Sequence, residues 1–160
     1  LQDKVLLSSS RFLTQAGLDK VSSGLLPKNT VLMSSRAPVG YLAISKIQTA
    51  INQGFIGMIC NKRLSPEFVL QWADSRMDDI KRAAGGSTFA EISKKAFRPF
   101  EIVVPSQAVL AAYTETNGAT YDKIADGVLA SQSLTKLRDT LLPKIISGEF
   151  SLPENDAQIL

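Results

Sequence analysis

The sequence predicts an α+β protein, in which a small mixed β/α domain is followed by a long C-terminal helix that pairs as an antiparallel coiled coil. Short apolar runs separated by turn residues occupy residues 1–62. In contrast, residues 106–147 favour helix and contain no paired glycines. We therefore expect a domain over 1–105, a helix over 106–149 and a flexible tail over 150–160.

The first part of the chain contains the predicted strands. The apolar run Val31–Met33 favours a strand, and the polar run Ser34–Gly40 favours a bend because Pro38 cannot donate to a sheet. Two later runs are also predicted strands: Tyr41–Ile44 and Phe55–Cys60.

A helix is predicted from Ser65, where a hydroxyl residue precedes proline and an acid. Gly85–Gly86 ends that run, and Ser87–Thr88 begins another short element or caps a turn. Trp72 has helical spacing, which favours core packing, with a base-stacking platform as the alternative. Phe100–Val104 alternates before Pro105 and is predicted to be a strand.

The long helix carries an apolar seam at mostly helical spacing, with one irregular step. Such a stripe favours packing against a partner helix. The proposed seam residues are Ile124, Val128, Leu134, Leu137, Leu141 and Ile145.

Charge is distributed unevenly along the chain. Residues 1–98 hold 14 Lys/Arg against 7 Asp/Glu, a net charge of +7, whereas residues 99–160 hold 4 against 8, a net charge of −4. This asymmetry favours a polyanionic partner for the first part, although ordinary solvated surface charge is the alternative. Cys60 is the only cysteine, and no stretch is long and apolar enough for a membrane, so we expect a reduced, cytoplasmic protein without a membrane partner.

The residue inventory argues against catalysis. The chain has no histidine, a single cysteine, and no glycine-rich loop ending in lysine and a hydroxyl residue. Asp78 and Asp79 are adjacent on a predicted helix, where neighbouring side chains point in different directions. We therefore expect a non-catalytic protein with no cofactor and no metal site.

Three stretches together resemble the specificity subunit of type I restriction-modification systems. Arg11–Thr14 followed by Leu32–Tyr41 (LMSSRAPVGY) is similar to a strand and bend of that family. Gly85–Ser93 resembles the turn before the last strand of its recognition domain, and Leu137–Glu149 (LRDTLLPKIISGE) resembles the end of its spacer helix.

The resemblance implies a role and a set of partners. Such subunits read a split site on double-stranded DNA with two recognition domains held apart by two antiparallel helices. Methyltransferase subunits dock on the helices, and the motor-nuclease subunit joins the complex. Methylation, ATP hydrolysis and cleavage belong to those partners.

Two departures from the family pattern modify these expectations. A recognition domain of this family begins several dozen residues earlier, so we expect residues 1–105 to be a partial domain of a longer protein. The usual entry to the spacer helix is replaced by Val104–Gln107. Because one spacer helix is present, we expect two copies to bury the seam as an antiparallel homodimer.

Candidate DNA-contacting residues are polar or basic side chains in the bend and in the basic segments. Arg36 leads them, since an arginine in a polar bend can contact a base edge or a phosphate, with an ordinary strand-end loop as the alternative. The other candidates are Thr14, Gln15, Ser34, Ser35, Gln53, Lys94, Lys95 and Arg98. The alternative function is a truncated interaction module that binds methyltransferase or another specificity chain without reading DNA.

Overall fold

The computed structural model describes residues 4–86 and 90–150, and it confirms the α+β class. In these residues four strands form one sheet, short helices lie between and after the strands along the chain, and a long helix follows. The predicted element at Ser87–Thr88 lies outside the described residues, as does residue 151 onward of the predicted tail.

The strands are β1 (Val5–Leu6), β2 (Thr30–Ser34), β3 (Leu42–Ser45) and β4 (Phe55–Met58). Their order across the sheet is β1-β3-β2-β4. β1 runs parallel to β3, and β2 pairs antiparallel with both β3 and β4. The three longer strands confirm the predicted ones, with β3 starting one residue later and β4 ending two residues earlier than expected.

Strand β2 is the centre of the core. All five of its residues are buried, because β3 and β4 pair with its two edges and a helix lies against the sheet. Met33 lies opposite Leu42 on one side and Ile56 on the other. A continuous apolar run is what a strand buried on both faces requires, so the central strand has a clear sequence signal.

The described residues contain four short helices: α1 (Gln15–Leu18), α2 (Pro66–Ser75), α3 (Met77–Arg82) and α4 (Lys94–Phe97). The predicted helix start at Ser65 is confirmed, because its Oγ accepts a hydrogen bond of 3.3 Å from the N–H of Phe68. The predicted single run to Gly85 is divided, since α2 ends at Ser75 and α3 begins at Met77. Helix α2 packs against β2 and β3.

The predicted strand at Phe100–Val104 is wrong. This segment pairs with no described strand, and the Val103 side chain is 84% exposed. Its backbone instead accepts a hydrogen bond of 3.2 Å at the Glu101 carbonyl from Trp72 Nε1. An alternating pattern becomes a strand only where a neighbouring strand offers free backbone groups.

Trp72 has a packing role in this arrangement. Its half-buried ring meets the ring of Phe97 edge-on, with centroids 6.1 Å apart. This contact and the Glu101 hydrogen bond hold the segment after α4 against α2.

Helix α5 spans Gln107–Ile146, which confirms the long helix within a few residues at each end. At 1.5 Å per residue its 40 residues extend about 60 Å. The chain divides into two compact units, Leu1–Ala125 and Asp126–Leu160, so the first part of α5 belongs to the same unit as the sheet. The domain boundary predicted between residues 105 and 106 lies just before the start of α5 at Gln107. As a domain boundary it stays a prediction.

Contacts within the first unit attach the beginning of α5 to the sheet region. Tyr121 OH accepts a hydrogen bond of 2.8 Å from Gln71, and Asp122 lies 2.9 Å from the ammonium of Lys46. The rings of Tyr113 and Phe68 meet edge-on at 5.4 Å. These contacts explain why Tyr121 is buried on a helix that is otherwise mostly exposed.

The second unit exposes apolar side chains. Leu134 is 66% and Leu137 is 53% exposed, while Leu141 and Ile145 are half-buried. At about 100° per residue these four form one stripe, which we call the C-terminal stripe, and Val128 lies about 135° around the helix from its centre. Pairing through the proposed seam stays a prediction.

Candidate nucleic-acid interface

The bend Ser34–Gly40 between β2 and β3 is held by its own backbone and one hydroxyl. Ser34 Oγ accepts a hydrogen bond of 2.8 Å from the N–H of Tyr41 and donates one of 2.7 Å to the carbonyl of Pro38. The Ala37–Pro38 peptide bond is cis. Gly40 has a φ of +106°, and a Cβ there would collide with the sulfur of Met77, so this position requires glycine.

Ser35 joins the bend to the next loop. Its N–H donates 2.8 Å to the carbonyl of Gly54, and its Oγ donates 3.2 Å to the carbonyl of Gln53. The side chain of Asn52 closes that loop by accepting a hydrogen bond of 2.9 Å from the N–H of Gly54. Ser34 and Ser35 are both buried, so their hydroxyls stabilise the bend.

Arg36, in contrast, is exposed. Its guanidinium passes over Gly54, where an added Cβ would lie 3.5 Å from Arg36 Nε. Arg36 Nη1 lies 3.7 Å from Glu91 Oε2, and the two residues also pair as an isolated β-bridge. The bend therefore presents one arginine at its surface.

The β-bridge between Arg36 and Glu91 brings together two of the stretches that resemble the specificity-subunit family. Gly85 and Glu91 exchange backbone hydrogen bonds of 3.0 and 2.8 Å, and the N–H of Ile92 donates 2.9 Å to the carbonyl of Ser35. The turn that begins at Gly85 and the bend that contains Arg36 are thus neighbours in space.

A groove of about 720 Å³ lies beside this junction, and we call it the basic groove. Serines line part of it, and its apolar lining is formed by Leu13, Val21, Ala50, Ile51, Ile56 and Ile92. Its charged and amide side chains belong to Arg11, Lys20, Asn52, Gln53, Glu91 and Lys94. Cations and amides in one concave surface can contact both phosphates and base edges.

A smaller cavity of about 230 Å³ adjoins the basic groove and shares Ser9, Arg11, Leu13 and Ala50 with it. Thr14 and Gln15 line this cavity. Thr14 Oγ1 accepts 3.2 Å from the N–H of Gly17, as the cap of α1, and Gln15 donates 2.8 Å to Asp19. Both side chains have local partners here.

The nine predicted DNA-contacting residues divide into four groups. Ser35, Gln53 and Lys94 line the basic groove, and Arg36 joins it through Glu91. Thr14 and Gln15 lie in the adjoining cavity, and Ser34 lies beneath the bend. Lys95 and Arg98 are exposed at α4 without lining the groove. Contact of any of them with DNA stays a prediction.

Sequence reasoning missed three charged groove residues: Arg11, Lys20 and Glu91. The excess of Lys/Arg over residues 1–98 includes Arg11 and Lys20 but does not distinguish them from the other cations. Arg11 and Glu91 lie in two of the stretches that resemble the specificity-subunit family, but only the fold brings residues 11, 20 and 91 to one surface.

Two groups away from the groove have shifted pKa values. The pKa of the Cys60 thiol is raised to about 11, chiefly by burial, which outweighs the lowering by a hydrogen bond from the backbone of Val31; the charge of Glu67 also raises it. Burial also raises the pKa of Tyr113, with contributions from Tyr121 and Glu67. The Cys60 thiol is therefore protonated at neutral pH, which makes it a weak nucleophile.

Within residues 4–86 and 90–150, no three His, Cys, Asp or Glu side chains are grouped so that they could hold a metal ion. In the same ranges, no helix has both the length and the apolar character needed to cross a membrane.

With this geometry described, comparison with known proteins identifies the family. The type I restriction modification DNA specificity domain matches residues 3–138, which is most of the chain. This chain belongs to that family of DNA specificity domains.

The chain is similar to several curated specificity subunits. It is 35% identical over 98 residues to the type I restriction enzyme MjaIX specificity subunit of Methanocaldococcus jannaschii, covering 60% of this chain and 23% of that protein. It is 24% identical over 141 residues to the HindI specificity subunit of Haemophilus influenzae, covering 86% of this chain and 31% of that protein. The chain thus matches about a quarter to a third of the length of these relatives.

Proposed function

We propose that this chain reads one half of a split site on double-stranded DNA for a type I restriction-modification complex. The observation that carries the proposal is the basic groove beside the Ser34–Gly40 bend, where Arg11, Lys20 and Lys94 line one concave surface. Arg36 stands exposed next to it. The family membership supports the same role.

The proposed division of labour follows from the chemistry of the groove. Lys and Arg side chains neutralise phosphates and set the register of the protein on the duplex. Arg36 and Gln53 have donor groups suited to base edges, and arginine is the usual partner of guanine O6 and N7. The rigid bend holds Arg36 at a constant position relative to the sheet.

The test of this function is binding to duplex DNA at several salt concentrations. A pool of random-sequence duplexes is incubated with the full chain, bound molecules are recovered, and the recovered sequences are compared with the pool. We expect enrichment of a short sequence and an affinity that falls steeply with salt. Weak, salt-insensitive binding with no enriched sequence would reject DNA reading.

We further propose that α5 scaffolds the complex. Two copies would bury the C-terminal stripe against each other as an antiparallel homodimer, and the paired helices would offer a docking surface for methyltransferase subunits, with the motor-nuclease subunit joining through the complex. The exposure of Leu134 and Leu137 supports this arrangement. In this scheme the chain contributes specificity, and catalysis belongs to its partners.

A second candidate function is an interaction module that binds methyltransferase or another specificity chain without reading DNA. The apolar surface of α5 favours it, since Leu142 and Ile146 are exposed in addition to the stripe. Capture of purified methyltransferase subunit together with no duplex binding would support this function over DNA reading. Duplex binding with sequence enrichment would exclude it.

A further inference from the structure

Glu91 is an acid in a surface otherwise lined by cations. Arg11, Lys20 and Lys94 line the basic groove with it, and among the described residues that do so Glu91 is the only carboxylate. A carboxylate at this position repels phosphates. A groove built only to attract the DNA backbone would lack it.

The pair that Glu91 forms with Arg36 is loose. The separation of 3.7 Å exceeds a hydrogen bond, and the two side chains are 41% and 44% exposed. Exposed ion pairs of this kind contribute little to folding stability. Stability therefore does not account for Glu91, and Arg36 keeps its N–H donors available for another acceptor.

The position of Arg36 is nevertheless constrained. Its backbone pairs with that of Glu91, and its Nε lies over Gly54, 3.5 Å from the place where a Cβ would stand. The guanidinium thus lies between Gly54 and the carboxylate of Glu91.

We propose that Glu91 is a positioning residue that orients Arg36 and keeps it from binding phosphates, so that only a base edge can engage it. This inference rests on the DNA-reading function proposed above. A phosphate that approaches Arg36 carries a negative charge and is repelled by Glu91. The acceptors of a base edge carry no net charge, so Glu91 repels them far less.

This arrangement gives specificity through a repulsive element. On a matching site Arg36 forms a bidentate contact with a base, which compensates for the nearby carboxylate. On other sequences Arg36 remains paired with Glu91 and adds little affinity. Glu91 thereby lowers binding to non-matching duplex more than binding to the matching sequence.

The test is Glu91→Gln, which keeps the size of the side chain and removes its charge. We expect affinity for random-sequence duplex to rise roughly fivefold, with a smaller change for the sequence that the wild-type chain enriches. The ratio between the two affinities, measured by fluorescence anisotropy, should therefore fall. In an Arg36→Ala background the same substitution should produce a smaller gain on random duplex.

The matched control is Glu115→Gln, which removes the same charge from an exposed position on α5. An equal gain in this control would show a general charge effect and overturn the proposal. An unchanged affinity ratio in Glu91→Gln, with or without a lower melting temperature, would also overturn it while leaving DNA reading intact. If the wild-type chain enriches no sequence at all, DNA reading itself fails, and the role of Glu91 fails with it.

Discussion

Arg36 and Gly40 lie four residues apart in one bend, and their surroundings differ. The arginine is exposed beside Glu91, whereas Gly40 is pressed against Met77. The backbone of the bend is held by Ser34 and Ser35 from below. Single substitutions here can therefore separate effects on DNA binding from effects on folding.

Arg36→Ala tests base contact at the residue scale. If Arg36 engages a base, the substitution should lower affinity for the enriched sequence by about 1–3 kcal/mol and relax preference at one position. Anisotropy titrations against single-position variants of that sequence measure both effects. Arg63→Ala removes an exposed arginine that lines a different cavity, and it should leave the preference unchanged. If Arg36→Ala binds each DNA variant with the same affinity as the wild type does, Arg36 makes no contact with a base.

Gly40→Ala tests the packing of the bend. The new methyl group would meet Met77 in a left-handed backbone conformation, so we expect a loss of about 2–4 kcal/mol in unfolding free energy. Urea denaturation followed by circular dichroism measures it. The control is Gly118→Ala within α5, where an added Cβ meets nothing within 4 Å and should stabilise the helix by about 0.5–1 kcal/mol. Comparable stability of the two variants would contradict this account of the bend.

Cys60 gives a prediction about pH. Its pKa in the folded chain is about 11, above the ordinary value of 9.0, so the folded state favours the neutral thiol. The stabilising contribution of the neutral thiol is therefore complete below about pH 9 and is lost as the pH rises from about 9 to about 11. A thiol reagent should label the native chain slowly at pH 8 and the urea-unfolded chain quickly. Equal rates in the two states would show that burial does not protect the thiol.

At the scale of elements, the sequence predicted helices better than strands, because the signals for a helix are local. Ser65 with Pro66 predicts the start of α2 because capping depends on neighbouring residues only. Helix α5 has few breakers, so its hydrogen bonds form within the segment itself. The strand predicted at Phe100–Val104 is wrong because a strand depends on a partner that no local pattern reveals.

Leu137→Glu tests pairing of the C-terminal stripe. A charge in the middle of a buried helix seam is costly, so the variant should be monomeric where the wild type is dimeric. Sedimentation or light scattering at high micromolar concentration distinguishes the two. Gln132→Glu introduces a charge at an exposed position on the side of the helix opposite the stripe and should leave the dimer intact. A wild-type chain that is monomeric at this concentration would contradict the homodimer.

At the scale of the whole molecule, the groove is assembled from distant parts of the sequence. Arg11 and Glu91 are separated by 80 positions in the sequence and line the same groove, with Glu91 placed there by its β-bridges to Gly85 and Arg36. The charge excess over residues 1–98 predicted a polyanion partner, but the position of the groove depends on these long-range contacts. The resemblance to the specificity-subunit family, confirmed by the family match, was needed to predict the class of partner.

Lys94→Ala tests the electrostatic part of binding. If Lys94 contacts a phosphate, its loss should weaken binding to all duplexes alike and reduce the slope of log affinity against log salt by about 1. Titrations of random and enriched duplexes over a salt series provide the slopes. Lys123→Ala, an exposed lysine on α5, should leave the slope unchanged. A change in sequence preference with an unaltered slope would assign Lys94 to base contact.

The attachment of Tyr121 and Asp122 to the sheet region has a practical consequence for building chimaeras. An exchange joined at residue 106 would separate Gln71 from Tyr121 and Lys46 from Asp122, and it would leave Leu110 and Ala125 against a foreign surface. If the transferred segment includes the sheet region and α5 as far as Ala125, both sides of each contact come from the same protein. The segment to exchange therefore ends in the middle of α5, several turns beyond the start of the helix.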